Sequence, residues 1–352
     1  MFVFSYLNLY DRVFDNTVDA EELIIITGYI GPPIIADLDN LPYHVKIYVG
    51  MYGNNVNGNI HNSLLDYNKK SNIDIFYTNF PVHSKCYIWI KDGRIVKSLI
   101  GSANFSTGGL RTPYKEVLSD IPQRNFDELF VYKEMIRNES YLVSNYSGNI
   151  TSISFVDEFT RTVSENEVSI SLLASRDGGS DNLIGERTVA GDVHKAAGLN
   201  WGFSNGLPLP NDAYIKIPSQ QVQESPLLFP PKKDGINEYI DVVWDDGTQM
   251  QMLLEGTQII DGVQYPKQIS TYKSKKELGL YLRKRIGEKI GKDLIIPVET
   301  KDEFVQNVNM YKDKLITKEM LEKYGRNNIN IKLIGEGTYF FDFSPKLGDN
   351  NE

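Results

Sequence analysis

The sequence predicts an α/β domain followed by a mostly-β barrel or sandwich, and three observations carry that reading. Buried strand-like runs alternate with helical spacing through the first 165 residues. The later half breaks into short strand-like runs separated by Gly, Pro and Asp-Gly turns. Between the two textures lie a polar stretch at 144–152 and an acidic one at 164–167. The domains read as 1–160 and 168–352, and 352 residues suit two domains of ordinary size.

In order, ELIIITGYI (22–30) and HVKIYVGMY (44–52) read as buried strands. NIHNSLLDYNKK (59–70) reads as a helix with Ile60, Leu64 and Leu65 on one face, and IDIFYT (73–78) as a further strand. A βαβ unit and a largely parallel sheet follow from that alternation. FDELFVYKEMIRNESYLV (126–143) has helical spacing at Phe130, Met135 and Ile136. The second half offers strands at 168–175, 213–218, 238–244, 250–256, 329–335 and 338–344, with turns at Asp246-Gly247 and Asp261-Gly262. One helix, 274–290, interrupts them, and Ser274 with Glu277 suggests a capping box.

Composition narrows the class. Apolar residues at 41% and charged residues at 24% fit a soluble globular chain. One cysteine, Cys86, excludes a disulfide framework and a thiolate-rich zinc site. No apolar run approaches the roughly 18 residues of a spanning helix, and the N-terminus lacks signal-peptide features, so a cytoplasmic location without membrane contact is expected. The net charge of −9 hides a local reversal: nine Lys or Arg against two Glu between Lys267 and Lys292. A solvated helix face is the ordinary reading of such a run; an anionic partner is the alternative.

The densest chemistry lies in VHSKCYIWIKDGRIVKSLIGSANFS (82–106). On a strand, His83, Lys85, Tyr87 and Trp89 share one face, with His83 and Lys85 about 7 Å apart. Lys91-Asp92-Gly93-Arg94 is a hairpin turn. The return strand delivers Ser102 and Asn104 to the level of His83. Imidazole serves as nucleophile or acid/base at neutral pH, lysine gives a fixed positive charge, and hydroxyl, amide and backbone N–H groups donate to phosphoryl oxygens. A carboxylate to orient the histidine is available in Glu116. A lone His-x-Lys is usually just a strand surface; the full pattern is far more specific.

At these residues the chain resembles the phospholipase D superfamily, through its HxK…GSxN signature at His83, Lys85, Gly101, Ser102 and Asn104, with Glu116 downstream. The Asp usual five residues after the lysine is Ile90 here, with Asp92 two residues later. The resemblance implies a metal-free, cofactor-free phosphodiesterase. One histidine attacks phosphorus to form a phosphohistidine and a second protonates the leaving oxygen. Two motifs are needed per site and this chain has one, since His194-Lys195 lacks the spacing and the following loop. A homodimer sharing one site is therefore implied.

The segments 198–218 and 277–287 resemble the carboxy-terminal half of NgoFVII-type restriction endonucleases. There a phospholipase-D-like (PLD-like) nuclease domain precedes a B-three-like DNA-binding pseudobarrel. The implied function is a type II-like restriction endonuclease acting on double-stranded DNA. Some relatives work with a separate ATPase or translocase subunit, and such a partner is possible here. One reading arm is expected around Asn200, Trp201, Asn205 and Asn211. The other is expected at Lys267, Gln268, Tyr272, Lys273 and Lys275. Core packing and turn chemistry are the ordinary explanations for Trp201 and for Asn205 and Asn211 respectively.

Three other readings compete. Asp293, Glu299 and Lys301 loosely fit a metal-dependent nuclease. A lipid phosphodiesterase would use the same His83 chemistry but lacks an amphipathic membrane helix. A DNA-binding module would carry His83 and Lys85 without catalysis. Gly287 to Lys292 has too few residues between its glycines for a P-loop and follows a helix.

Overall fold

The computed structural model describes residues 4–152 and 166–345. Position 160, the expected end of the first domain, and part of the acidic 164–167 stretch lie outside them. The first domain runs β1 (Phe4–Ser5), α1 (Leu9–Val13), β2 (Glu22–Thr27), β3 (His44–Val49), β4 (Asn55–Asn57), α2 (Gly58–Tyr67), β5 (Ile73–Thr78) and β6 (Lys85–Lys91). It continues with β7 (Arg94–Gly101), α3 (Thr107–Arg111), β8 (Leu118–Asp120), α4 (Phe126–Asn138), β9 (Ser140–Leu142) and β10 (Asn149–Thr151). Eight strands form one sheet in the order β1-β8-β7-β6-β2-β3-β5-β9. The expected largely parallel sheet is corrected: in this sheet only β2–β3 and β3–β5 are parallel. A two-residue turn can join only antiparallel strands, and β6–β7 is such a hairpin.

Alternation along β6 splits the core. Tyr87 and Trp89 pack on the face covered by α1 and α2 with Ile25 and Ile47. Cys86, Ile88 and Ile90 pack on the other face with Ile24, Ile26 and, from α4, Leu129 and Ile136. The buried stripe of α4 is thus Leu129, Lys133 and Ile136, while Phe130 and Met135 are exposed. Of the expected stripe Ile136 is buried, and Leu129 and the Lys133 stem take the other inward places.

The second domain holds β11 (Glu167–Ser171), β12 (Ile215–Lys216), α5 (Ser219–Glu224), β13 (Glu238–Trp244), β14 (Gln249–Glu255), β15 (Gln258–Ile260), β16 (Val263–Tyr265), β17 (Gln268–Thr271), α6 (Lys275–Ile290), α7 (Lys301–Asn307), α8 (Lys318–Tyr324), β18 (Asn328–Gly335) and β19 (Thr338–Asp342). Seven strands, in the order β11-β18-β19-β13-β14-β17-β12, make a nearly closed barrel-like sheet. Leu278, Leu282 and Ile286 of α6 fill its core with Trp244 and Phe341. Ser274 does cap α6, but its side chain makes no capping bond, so the expected capping box is not formed. Among the described residues no helix is long and apolar enough to cross a membrane.

The seam between the domains is polar. Asp241 on β13 is fully buried and accepts from the Thr107 N–H (2.8 Å) and the Thr107 hydroxyl. Burial pushes its carboxyl up to about 7, against those two bonds. A Cβ on Gly31 would lie 1.9 Å from Asp241 Oδ2, so the Asp241 carboxylate can seat there only because residue 31 has no side chain. Asp37, also buried, accepts from Gln251 (2.8 Å) and pairs with Arg111 (3.2 Å) and Lys273 (3.2 Å). Its burial would raise the carboxyl, but the Gln251 bond and the Lys273 charge outweigh it and hold it below the usual range. Lys115 pairs with Glu238 at 2.6 Å.

Candidate active site

The site forms where β2, β6 and β7 end together. Register fixes it: Lys85 faces Gly101 across the hairpin, and Cys86 faces Ile26 of β2. The turn that sets this register has Asp92 at φ 48° and Gly93 at φ 69°, the two positive values a type I′ turn requires. His83 lies just before β6 and is exposed. Lys85 is buried, and its Nζ donates to the His83 carbonyl at 2.5 Å. Burial pushes the Lys85 ammonium down from its ordinary value; Glu336 and Glu116 oppose the shift electrostatically.

Gly28 supplies the floor. A Cβ there would come within 2.8 Å of His83 Cδ2 and 3.4 Å of Lys85 Nζ. Tyr29 meets the His83 ring edge-on at 6.0 Å. Asn104 is only 5% exposed. Its Oδ1 accepts from the Tyr29 N–H (3.2 Å) and the Thr27 hydroxyl (3.3 Å). That hydroxyl also donates to the Tyr29 carbonyl (2.7 Å) and accepts from the Phe105 N–H (3.0 Å). With its oxygen held this way, Asn104 presents Nδ2 outward, where it donates to Glu336 Oε2 at 2.9 Å. Ser106 caps α3 by accepting from Gly109 N–H at 3.0 Å, which anchors the far end of the 101–106 loop.

The structure thus brings His83, Lys85 and Asn104 to one end of the sheet. Ser102 is exposed at the same loop, its hydroxyl accepting from the Val117 N–H at 3.1 Å. Glu116 precedes β8 instead of lying on a strand. It acts on Lys85 through its charge, and among the described residues no hydrogen bond joins it to His83. Thr27, Gly28, Tyr29 and Glu336 were missed. Only Gly28 had a signal, as a glycine closing a buried apolar strand, which marks close approach by other backbone or side chains.

The expected reading arms divide. Asn200 and Asn211 are corrected: both are buried and spend their amides internally. Asn200 Nδ2 donates to the Ile316 (2.8 Å) and His194 (3.1 Å) carbonyls, and its Oδ1 accepts from the Ile316 N–H. Asn211 bridges the Ile296 N–H and carbonyl. Asn205 is exposed and donates to Asp181. Trp201 is half-buried against Tyr214, with Lys275 Nζ 4.7 Å from its ring centre. Lys275 also pairs with Glu255 at 2.6 Å, and Gln268 donates to the same carboxylate at 2.7 Å. Lys267 is exposed. Tyr272 and Lys273 face the nuclease-like domain. The Tyr272 hydroxyl accepts from Arg111, and Lys273 pairs with Asp37.

Much of the basic run has local partners. Arg283 is fully buried and donates to the Leu294, Lys314 and Leu199 carbonyls. Arg285 pairs with Asp245, and Lys276 with Glu299. Lys301 donates to the Gly202 and Ser204 carbonyls, which commits it to structure. Gly291 ends α6 in the left-handed region at φ 69°, a helix terminus and not a phosphate cradle.

Comparison with known families gives two matches. Residues 7–152 match the NgoFVII restriction endonuclease N-terminal PLD domain, and residues 160–335 match the NgoFVII C-terminal B3-like DNA-binding domain. Among solved structures, NucT from Helicobacter pylori is 17% identical with a TM-score of 0.31, over 40% of this chain and 99% of that one. The phospholipase D family member Nuc from Salmonella typhimurium is 19% identical with a TM-score of 0.32, over 40% of this chain and 95% of that one. A comparison with curated proteins finds no match.

Proposed function

The chain belongs to the NgoFVII restriction endonuclease family, with a PLD nuclease domain and a B3-like DNA-binding domain, and from that premise we propose that it hydrolyses DNA phosphodiesters through His83 without a metal ion. The supporting observation is the convergence of an exposed imidazole, a buried ammonium and an outward-facing amide N–H₂ at one sheet end.

In this reading an imidazole nitrogen of His83 attacks phosphorus. The bond to the leaving oxygen breaks as His83 of a second copy gives that oxygen its proton. Water then attacks the phosphohistidine, the second imidazole takes the water proton, and the N–P bond breaks. The products are a phosphomonoester and an alcohol, and both histidines return to their starting forms. Lys85, Asn104 and Ser102 stabilise the charge on the phosphoryl oxygens. Glu116 serves the site through its charge near Lys85. The homodimer follows from the chemistry, because one HxK motif supplies one imidazole. A separate ATP-driven subunit is compatible with this scheme.

Mixed-sequence DNA incubated with wild type and His83→Ala in a chelating buffer tests the proposal. Cleavage by wild type alone is expected. Cleavage that needs added Mg²⁺, or that survives His83→Ala, refutes it.

A further inference from the structure

The outward N–H₂ of Asn104, the group placed here on a phosphoryl oxygen, is not facing solvent. It donates to the carboxylate of Glu336, which belongs to the other domain and stands at the tip of the β18–β19 hairpin between Gly335 and Gly337. A carboxylate at this position resembles two non-bridging oxygens of a phosphodiester in charge and in acceptor geometry. Lys85 feels the same charge.

The hairpin is seated on the nuclease domain. Ile334 packs against its core. A Cβ on Gly335 would be 3.4 Å from both Ile60 Cδ1 and the Tyr52 hydroxyl. Gly337 turns the chain at φ 65°, and its carbonyl accepts from the Asp241 N–H at 3.0 Å. The tip is therefore braced from both sides, by the nuclease core and by the buried Asp241 of its own domain.

We propose that Glu336 is a specificity-determining residue: its carboxylate occupies the phosphate position of the nuclease site and yields it only when DNA engages the second domain. The inference rests on the proposed role of His83, Lys85 and Asn104. Three observations carry it. The carboxylate uses the Asn104 donor that the substrate needs. Glu336 is itself exposed, so a competing anion can reach the contact and displace it. The seam also includes polar contacts at its edge, the kind that can exchange where domains part. In particular Lys273 pairs with Asp37 of the nuclease domain, and Tyr272 lies against Arg111. Both belong to the expected DNA-reading arm. Phosphate contacts made by Lys273 would compete with Asp37, loosen the seam beside the hairpin, and free Asn104.

The test uses the full chain in a chelating buffer and compares wild type, Glu336→Ala, Glu336→Gln and the double variant His83→Ala/Glu336→Ala. Inorganic phosphate binding is measured by calorimetry, and cleavage of mixed-sequence DNA by gel. Glu336→Ala should bind phosphate about tenfold more tightly than wild type, the scale of one lost charge-assisted competitor. It should also cut mixed-sequence DNA about tenfold faster. Glu336→Gln, which keeps an acceptor but not the charge, should fall between. Unchanged or weaker phosphate binding, or no binding by any variant, overturns the proposal. Slower cutting by Glu336→Ala overturns it as well, since the carboxylate would then assist the reaction. The double variant should bind phosphate like Glu336→Ala and cut nothing. If it cuts, the His83 reading fails, while the phosphate data still judge Glu336.

Discussion

Buried asparagines occur at the nuclease site and in the expected reading arm, and they do different work. Asn104, Asn200 and Asn211 are all at most 5% exposed. Asn200 and Asn211 use both ends of the amide on main-chain groups of the same domain, which ties segments together. Asn104 has its oxygen pinned by Thr27 and Tyr29, while its nitrogen crosses to another domain. Burial therefore does not separate a structural amide from the one proposed to act on substrate. The separation lies in where each hydrogen bond goes, because a buried polar group must be satisfied in either case.

The largest expected effect lies at the site these amides surround. His83→Ala should lower DNA cleavage by about 10⁴-fold or more, the scale seen when a catalytic unit loses its nucleophile. DNA binding by gel shift should be unchanged. Asn104→Ala should lower the cleavage rate by about 10²- to 10³-fold, as for loss of one preorganised donor. Asn200→Ala should instead cost about 2–4 kcal/mol of stability in urea unfolding, because it orphans buried main-chain groups. If Asn104→Ala unfolds the domain without a specific rate loss, the contrast between the two asparagines collapses.

Thr27→Val sharpens the contrast, since it removes one hold on the Asn104 oxygen. A roughly tenfold loss in kcat with little change in KM is expected. Thr27→Ser should restore the rate. Lys267→Ala probes the exposed part of the arm. It should weaken DNA binding severalfold and reduce the slope of log K against log salt by about 1.

A separate effect is a pH dependence at the seam. The folded chain holds the Asp241 proton more tightly than an exposed carboxyl does, with its value raised to about 7 from an ordinary 3.8. Its contribution to stability is fully present below about pH 4 and is lost as pH rises through about 7. Asp241→Asn removes this titration. The difference in melting temperature between Asp241→Asn and wild type should therefore change between pH 5 and pH 8, with wild type losing ground at the higher value. Parallel profiles would show that Asp241 does not titrate there.

How much of this was legible in the sequence depended on distance along the chain. The period-two run at 85–90, the Asp92-Gly93 turn and the Gly-Ser-x-Asn loop are local, and strand register converts them directly into geometry. The strand at 73–78 was read to the residue. The sense of the sheet was not, because pairing β6 against β2 is a non-local choice. Thr27 and Tyr29 are separated from Asn104 by 77 and 75 residues, and Glu336 by 232. No periodicity spans such gaps. Asn200 and Asn211 were misplaced among the expected base readers for a related reason. Asn is equally at home in turns, caps and buried bridges, so its residue type gives no direction for its amide.

Gly31 holds a further consequence. The halves of this molecule fit because one position lacks a single carbon, and Asp241 fills the space. An alanine there would act as a wedge against Asp241, and its Cβ would also press on Ser106 at 3.0 Å, beside the loop that carries Asn104. A change at this residue would therefore reach the fit of the two halves and the site loop at once.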